Sequence, residues 1–141
     1  MVNVAGWTCP HCNRRFRRAG QAHECAPAMS LEDYFSTGPP HERPVCEAVL
    51  NYAESIGPVH IEPLSVGIYL KKAQTFARLR PMQKWVALSF GLPRRVDHPT
   101  MTRKVVPYGG SYHHVFNLRT PQDFDEQIRG WLTEAYLHSP D

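Results

Sequence analysis

Trp7-Thr-Cys-Pro-His-Cys-Asn-Arg-Arg-Phe16, with His23-Glu-Cys25 shortly after it, is the stretch that decides how this chain begins to fold. Two residues separate Cys9 from Cys12, a spacing that lets both thiolates approach one ion from a tight turn. Asn13 follows directly and is one of the few residues other than glycine that tolerate the positive φ of such a turn. The stretch therefore predicts a metal-binding knuckle.

The second pair of ligands, His23 and Cys25, is separated by one residue, so an extended backbone projects both side chains to the same side. Three thiolates and one imidazole suit a tetrahedral Zn²⁺, and a segment this poor in apolar residues rarely folds without such a staple. We predict a structural, zinc-ribbon-like site with the ligands Cys9, Cys12, His23 and Cys25, although the sequence does not distinguish zinc from iron.

Three alternatives concern the same cysteines. Cys46 is an alternative fourth ligand in place of His23, but it falls on the predicted buried stripe of a helix. A redox-active dithiol would use Cys9 and Cys12, but no βαβ pattern surrounds the pair. A catalytic zinc is disfavoured because four protein ligands leave no open coordination position.

Composition and charge limit the class of protein. The 141 residues contain no apolar run long enough to span a membrane, and no signal sequence is recognisable at the start, so we expect a cytoplasmic protein with reduced thiols. Residues 66–119 carry ten basic side chains against Asp97 alone, whereas residues 26–65 and the end of the chain are acidic. This concentration of positive charge bears on the choice of partner rather than on the fold.

The pattern of the remaining residues predicts an α+β fold. A short helix follows Ser30 and a longer one starts near Pro44 and ends before Gly57, which is expected at the C′ position. Alternating patterns then predict an antiparallel meander, and a closing helix follows Thr120-Pro121. The expected strands are 59–61, 66–70, 75–79, 85–92, 104–106 and 112–118. We predict two domains, a metal module over 1–28 and an α+β domain over 29–141, in the order helix, meander, helix.

The basic residues are candidates for binding an anionic partner, because guanidinium and ammonium groups beside aromatic rings suit a phosphate backbone or an exposed base. The alternative is that they form the solvated face of the sheet and of the ribbon. The candidates are Arg14, Arg15, Arg17, Arg18, Lys71, Lys72, Arg78, Arg80, Lys84, Arg94, Arg95, Arg103 and Lys104.

A cleft containing Tyr108 and His114 is a further candidate site, since histidine titrates near neutral pH and can act as a general base. His113 and His114 are adjacent on a predicted strand and so face opposite ways. Asp97 is the only acid in this segment, so nothing nearby in sequence orients either imidazole. The pattern therefore favours a protein without catalytic activity, with an enzyme centred on His114 as the less favoured hypothesis.

Several motifs together resemble a family of short bacterial proteins with a zinc-ribbon-like start and a domain of unknown function, number 5655. Besides the cysteine motif they are Leu31-Glu-Asp-Tyr-Phe35, Gly38-Pro-Pro-His-Glu-Arg-Pro44, Val66-Gly-Ile-Tyr-Leu-Lys71, Trp85-Val-Ala-Leu-Ser-Phe90 and Trp131-Leu-Thr-Glu-Ala-Tyr136. The resemblance implies an intracellular bacterial protein and implies no activity. From the residues themselves we predict a zinc-binding protein that engages an anionic partner, foremost nucleic acid. The alternative is a protein–protein adaptor that uses Trp7, Phe16, Tyr34 and Phe35.

Overall fold

The computed structural model describes residues 6–23 and 25–139, which form a small hairpin, three helices and one large sheet. The strands are β1 (Trp7–Thr8), β2 (Arg15–Phe16), β3 (His60–Leu64), β4 (Gly67–Lys71), β5 (Thr75–Pro81), β6 (Val86–Leu92), β7 (Val106–Tyr108) and β8 (Ser111–Leu118). The helices are α1 (Leu31–Ser36), α2 (Glu42–Ile56) and α3 (Glu126–His138), with a 3₁₀ turn at Pro121–Asp123 before α3. The predicted α+β class, with helices before and after an antiparallel sheet, is confirmed.

The large sheet has the strand order β3-β4-β5-β6-β8-β7, and all its neighbours are antiparallel. The first four strands form the predicted meander. After β6, residues 93–105 cross over the place next to β6 and leave it empty, so β7 becomes the edge strand. β8 then returns and fills that place between β6 and β7. The simple meander expected from the sequence is therefore wrong for the last two strands.

The helices cover one face of this sheet and close the core. Val45, Val49 and Ala53 of α2 are fully buried, as the three-and-four spacing of its apolar residues predicts. Their partners on the sheet include Leu88 and Phe116, which α3 also contacts through a stacked Trp131 ring with its centroid 5.8 Å from that of Phe116. The opposite face carries no helix among the described residues, and we call it the open face.

Two local features differ from the sequence-based expectation. α2 begins at Glu42, two residues before the expected Pro44, because the Glu42 amide donates to the Pro39 carbonyl at 3.1 Å and starts the first turn early. β7 covers Val106–Tyr108 rather than 104–106, since the turn of positive φ lies at Gly109 and Gly110.

Gly57 ends α2 with φ 169°, which is extended backbone and not the left-handed C′ conformation expected. Glycine is needed there for space, because a Cβ would lie 2.5 Å from the Tyr136 hydroxyl oxygen. That hydroxyl donates to the Pro58 carbonyl at 2.8 Å and joins α3 to the end of α2.

Within residues 6–23 and 25–139, no helix has the length and apolarity needed to cross a bilayer. The longest helix, α2, has 15 residues.

Candidate metal centre and the adjoining groove

The four predicted ligands converge on one point. One ligand atom from each of Cys9, Cys12, His23 and Cys25 lies within 4.8 Å of the others. The Cys9 and Cys25 sulfurs are 3.7 Å apart, and the Cys12 sulfur is 3.5 Å from His23 Nε2. A tetrahedral Zn²⁺ with bonds of about 2.3 Å to sulfur and about 2.0 Å to nitrogen would place those pairs about 3.8 Å and about 3.5 Å apart. The cluster could therefore hold a metal ion such as zinc.

The β1–β2 hairpin positions the first two ligands. The Cys9 amide donates to the Arg14 carbonyl at 2.9 Å, and the Asn13 amide donates back to the Cys9 carbonyl at 2.8 Å. Asn13 has φ 62°, the left-handed conformation predicted for the residue after the knuckle. Burial alone would raise the pKa of Cys9, but the amides of Cys12 and His11, together with the side chains of Cys25 and His23, outweigh it and lower the pKa to about 6. The turn thus favours the thiolate form that a metal requires.

A backbone contact fixes the orientation of His23. Its Nδ1 lies 2.6 Å from the Gln21 carbonyl oxygen, which can only accept a hydrogen bond. Nδ1 therefore carries the proton, and the lone pair of Nε2 points towards the ligand cluster. The imidazole also stacks on Phe16 at a centroid distance of 3.9 Å, with the Trp7 ring edge-on at 6.1 Å.

Cys46 does not belong to this centre. It is fully buried in the main core between α2 and the sheet, whereas Cys9 and Cys12 belong to the separate small cluster around Phe16. The alternative in which Cys46 replaces His23 is therefore wrong. Burial, with a smaller contribution from Glu42, raises the pKa of the Cys46 thiol far above its usual value, so it is not a reactive thiol either.

The hairpin docks on the open face through one buried carboxylate, Glu62 of β3. Its Oε1 accepts from Arg14 Nε at 3.0 Å and Lys71 Nζ at 2.9 Å, and its Oε2 accepts from the Arg15 amide at 3.2 Å. His60 Nε2 lies 3.0 Å from the same Oε2. Lys71 also donates to the Arg15 carbonyl at 2.8 Å and lies 4.2 Å from the centre of the Phe16 ring.

This cluster is enclosed, since the side chains of Glu62, Lys71 and Arg14 are 1%, 5% and 6% exposed. Burial alone would raise the pKa of Glu62, but the hydrogen bonds from Lys71 and Arg14 outweigh it and the pKa is lowered. Arg14 and Lys71 were predicted as contacts for an anionic partner. Their charges are instead compensated inside the protein, and we withdraw both from the predicted surface.

Beside the docked hairpin a groove of about 700 Å³ runs over the open face. One wall comes from the β4–β5 turn and from the ribbon, our name for the β1–β2 hairpin together with residues 17–23, and here Arg17 donates to Gln74 Oε1 at 3.0 Å. Tyr108 and Gly109 of the β7–β8 turn form the other wall, and the end of α3 closes one side. The floor includes Tyr69, Arg78, Ser89, Gly91 and His113. We call this the open-face groove.

The open-face groove has a positive and aromatic lining. No aspartate or glutamate is among the described residues that form it. The Arg78 guanidinium lies 5.9 Å from the centre of the Tyr69 ring, and its Nε is buried without a hydrogen-bond acceptor among the described residues. Burial, followed by the charges of Arg78 and Arg103, lowers the pKa of His113. Tyr108 is 80% exposed at the rim.

The other predicted basic residues are dispersed. Lys72 donates to the Tyr136 and Ser139 carbonyls at the end of α3, and Arg94 forms an ion pair with Glu134. Arg95 donates to the Val105 carbonyl at 3.3 Å and lies over the Tyr112 ring. Of the predicted set, only Arg17 and Arg78 line the groove. The other predicted basic residues do not line the groove. Arg15 and Lys72 are partly buried. The exposed ones are Arg18, Arg80, Lys84, Arg94, Arg95, Arg103 and Lys104.

The predicted cleft between Tyr108 and His114 does not form. Tyr108 projects from the open side, whereas His114 faces the core at 1% exposure, where its Nε2 accepts from the Val96 amide at 3.0 Å. Burial lowers the pKa of His114, which matches a neutral core histidine. The alternation along β8 places the neighbouring His113 in the groove instead.

A histidine–carboxylate pair does exist elsewhere, between His98 and Asp125. His98 Nε2 lies 2.9 Å from Asp125 Oδ2, and its Nδ1 accepts from the Thr100 amide at 3.2 Å. Because both ring nitrogens are engaged in tying residues 98–100 to the start of α3, no lone pair of this imidazole is left to act as a base. The pair lines neither of the two described cavities.

The aromatic residues expected to form an adaptor surface are largely internal. Phe16 and Tyr34 are 6% and 5% exposed, and Trp7 and Phe35 are partly buried against them or their neighbours. Trp7 packs on Phe16 within the hairpin and Phe35 packs on Tyr34 within α1, so these four residues form no continuous aromatic patch.

Three residues of the buried cluster and the groove were not predicted as site residues: Glu62, Ser89 and His113. A signal was available for Glu62, because it is the only acidic residue in the strands of the large sheet. Ser89 had none, since a serine in an apolar strand does not reveal which strand will lie beside it. Predicting His113 rather than His114 as a groove residue would have required the register of β8 against β6.

Comparison with known families gives one match. Residues 31–139 match the model of the family described as "Domain of unknown function (DUF5655)". No curated protein and no solved structure matches the chain. The candidate metal ligands Cys9, Cys12, His23 and Cys25 lie before the matched range.

Proposed function

Since the chain belongs to the DUF5655 family, whose description assigns no activity, we propose a function from the geometry: the protein binds single-stranded nucleic acid in the open-face groove. The observation that carries this proposal is the lining of the groove. It combines Arg17 and Arg78 with Tyr69 and Tyr108, and no carboxylate among the described lining residues opposes them.

Single strands suit this groove better than a duplex. Proteins that bind single strands without strong sequence preference combine a positive groove with aromatic side chains on which bases stack. A groove of about 700 Å³ has the size of a small-molecule site and admits a short stretch of unpaired nucleotides. The exposed ring of Tyr108 at the rim offers a stacking surface to an unpaired base.

We further propose that the metal is Zn²⁺ and that its role is structural. Cys9, Cys12, His23 and Cys25 fill a tetrahedral shell, and bound Zn²⁺ would supply the folding energy of the hairpin, on the order of 10 kcal/mol for small fingers. Arg17 and Gln21, which form part of the groove wall, lie between the second and third ligands. The metal thereby supports binding through the position of that wall.

The test is fluorescence anisotropy of a labelled single strand of about 16 nucleotides with metal-loaded protein at two salt concentrations. Two arginine–phosphate contacts predict a slope of log affinity on log salt of about −1.4, which is about sevenfold between about 50 and about 200 mM salt. Arg78→Gln should change the slope from about −1.4 to about −0.7 and weaken binding. Metal analysis of the same sample should give one zinc per chain if all four ligands are used.

Arg94→Gln is the matched control, because it removes an exposed arginine that pairs with Glu134 outside the groove. Its affinity and salt slope should equal those of the wild type. Binding that is independent of salt, or equally weakened by both variants, would contradict the proposal. Equal binding of an acidic polypeptide and the oligonucleotide would point to a protein partner instead.

A further inference from the structure

The floor of the open-face groove contains three hydrogen-bond donors arranged around one strand. Arg78 of β5 and Ser89 of β6 are directly opposite each other, and His113 of β8 is opposite Gly91, two residues further along β6. Directly opposite side chains start about 5 Å apart, and β5 and β8 are about 10 Å apart with β6 between them. The donors therefore surround a space above Ser89 and Gly91, where glycine contributes no side chain.

We propose that Arg78, Ser89 and His113 bind the phosphate group of a nucleotide, with Tyr108 stacking on its base. This inference rests on the proposed function and assigns the ligand class of the same groove. The guanidinium and the serine hydroxyl donate to phosphate oxygens, and the imidazole donates through its N–H. The base reaches the rim, where Tyr108 is 80% exposed.

Two observations point to an anion at this position. Arg78 Nε is buried and has no acceptor among the described residues, although a buried donor without a partner is costly. His113 and Arg78 also lie on the same face of the sheet, on either side of β6, with no carboxylate among the described residues that line the groove, and the Arg78 charge contributes to the lowered pKa of His113. A phosphate above β6 would compensate the charge of the guanidinium of Arg78, a residue that is only partly buried as a whole, and accept a hydrogen bond from His113 at the same time.

The neighbouring acid does not interfere with this site. Glu62 is opposite Tyr69 on the same face, but it is 1% exposed and already accepts from Arg14 and Lys71. The positive end of the groove is therefore not neutralised from within the described part of the chain. Arg17 on the ribbon wall can contact the next phosphate of a longer strand, since its Gln74 partner is uncharged.

The test is isothermal titration calorimetry of the full, metal-loaded chain with adenosine monophosphate, adenosine and inorganic phosphate. Adenosine monophosphate should bind at least about tenfold more tightly than adenosine, the value of one charge-assisted hydrogen bond. Arg78→Gln should remove that advantage and leave the weak binding of adenosine unchanged. Ser89→Ala should weaken the binding of adenosine monophosphate about fivefold, and Tyr108→Ala about tenfold.

Arg80→Gln is the matched control, because Arg80 lies two residues along β5 on the same face, is exposed and does not line the groove. It should bind adenosine monophosphate like the wild type. Thermal unfolding of each variant reports its folding, and Ser89→Ala keeps the test decisive if Arg78→Gln is unstable. Equal affinities for adenosine monophosphate and adenosine, or equal losses in Arg78→Gln and Arg80→Gln, would overturn the phosphate site.

The two proposals fail differently. If the oligonucleotide binds with the expected salt slope while adenosine monophosphate and adenosine bind equally, the phosphate site is overturned and the proposed function stands. If neither the oligonucleotide nor the mononucleotide binds, both are overturned. If inorganic phosphate binds as tightly as adenosine monophosphate, the assigned role of Tyr108 is overturned, and with it the nucleotide class.

Discussion

Replacing Glu62 by glutamine removes the charge that holds the ribbon on the sheet while keeping the size of the side chain. The carboxylate accepts from Arg14, Lys71 and the Arg15 amide. Glutamine has one carbonyl oxygen and one NH₂ group, and the NH₂ group can only donate. In either orientation of the amide, at least one donor of the cluster therefore faces another donor, and two buried cations lose their counter-ion.

The magnitude follows from this geometry. Removing one partner of a buried ion pair costs about 3–5 kcal/mol, because the remaining charge stays buried without compensation. The ribbon can relieve that cost by undocking, which returns Arg14 and Lys71 to water. We therefore expect Glu62→Gln to release the ribbon and to lower the free energy of unfolding by no more than this amount.

Two measurements follow the change on metal-loaded protein. Hydrogen exchange of the Arg15 amide, which donates to Glu62 Oε2 at 3.2 Å, should accelerate by at least about a hundredfold. Urea unfolding by circular dichroism should show the loss of stability. The control is Glu47→Gln, the same chemical change at a solvent-exposed ion pair with Arg43, where it should change stability little. Should both variants unfold alike, the buried cluster does not hold the ribbon.

Three further perturbations test other parts of the structure. Removing the metal by a chelator or by Cys9→Ser should unfold the ribbon and leave the main sheet folded, because their cores are separate; circular dichroism and hydrogen exchange would measure both, and joint unfolding would contradict it. Gly57→Ala should lower the free energy of unfolding in urea by about 1–3 kcal/mol, because the added Cβ would lie 2.5 Å from the Tyr136 hydroxyl oxygen. Adding Tyr136→Phe to the same chain should recover part of this stability, since the nearest ring carbon is 3.2 Å from the Cβ. No recovery would exclude the hydroxyl as the cause. The pKa of His114 is lowered in the folded protein, so the unfolded state takes up a proton at this residue first as the pH falls. The free energy of unfolding should therefore fall below about pH 6.5, by at most about 1.4 kcal/mol per pH unit. His114→Gln should reduce this dependence of stability on pH, and an unchanged dependence would contradict the assignment.

Local chemistry explains why the four residues that converge at the candidate metal centre could be selected from the sequence. The spacing of Cys9 and Cys12 and the tolerance of Asn13 for positive φ are properties of a few neighbouring residues, and the structure has Asn13 at φ 62°. The apolar stripe of α2 is equally local, and its buried positions Val45, Val49 and Ala53 follow the helical period. Predictions of this kind need no knowledge of the remaining chain.

The groove could not be predicted in the same way, because it depends on strand order. Arg78 and His113 are 35 positions apart in the chain. They line the same groove, on either side of β6, only because β8 returns beside β6. A meander read strictly in order would have separated β6 from β8 by β7. Lys71 illustrates a second difficulty, which is that burial and ion pairing across strands are not visible in one strand. Nothing in β4 reveals that Lys71 will pair with a carboxylate on the neighbouring strand and be buried.

Glu62 connects the two halves of the structure. It is the only acid in the strands of the large sheet, and an exposed carboxylate on the open face would repel a phosphate from the groove beside it. Docking of the ribbon buries that carboxylate between Arg14 and Lys71 and at the same time brings Arg17 and Gln21 to the groove wall. The docked ribbon thus removes a negative charge from the open face and adds a positive one. Release of the ribbon should therefore weaken nucleic-acid binding by more than the loss of Arg17 alone, which comparison of Cys9→Ser, a variant that keeps the Glu62 carboxylate, with Arg17→Gln would measure.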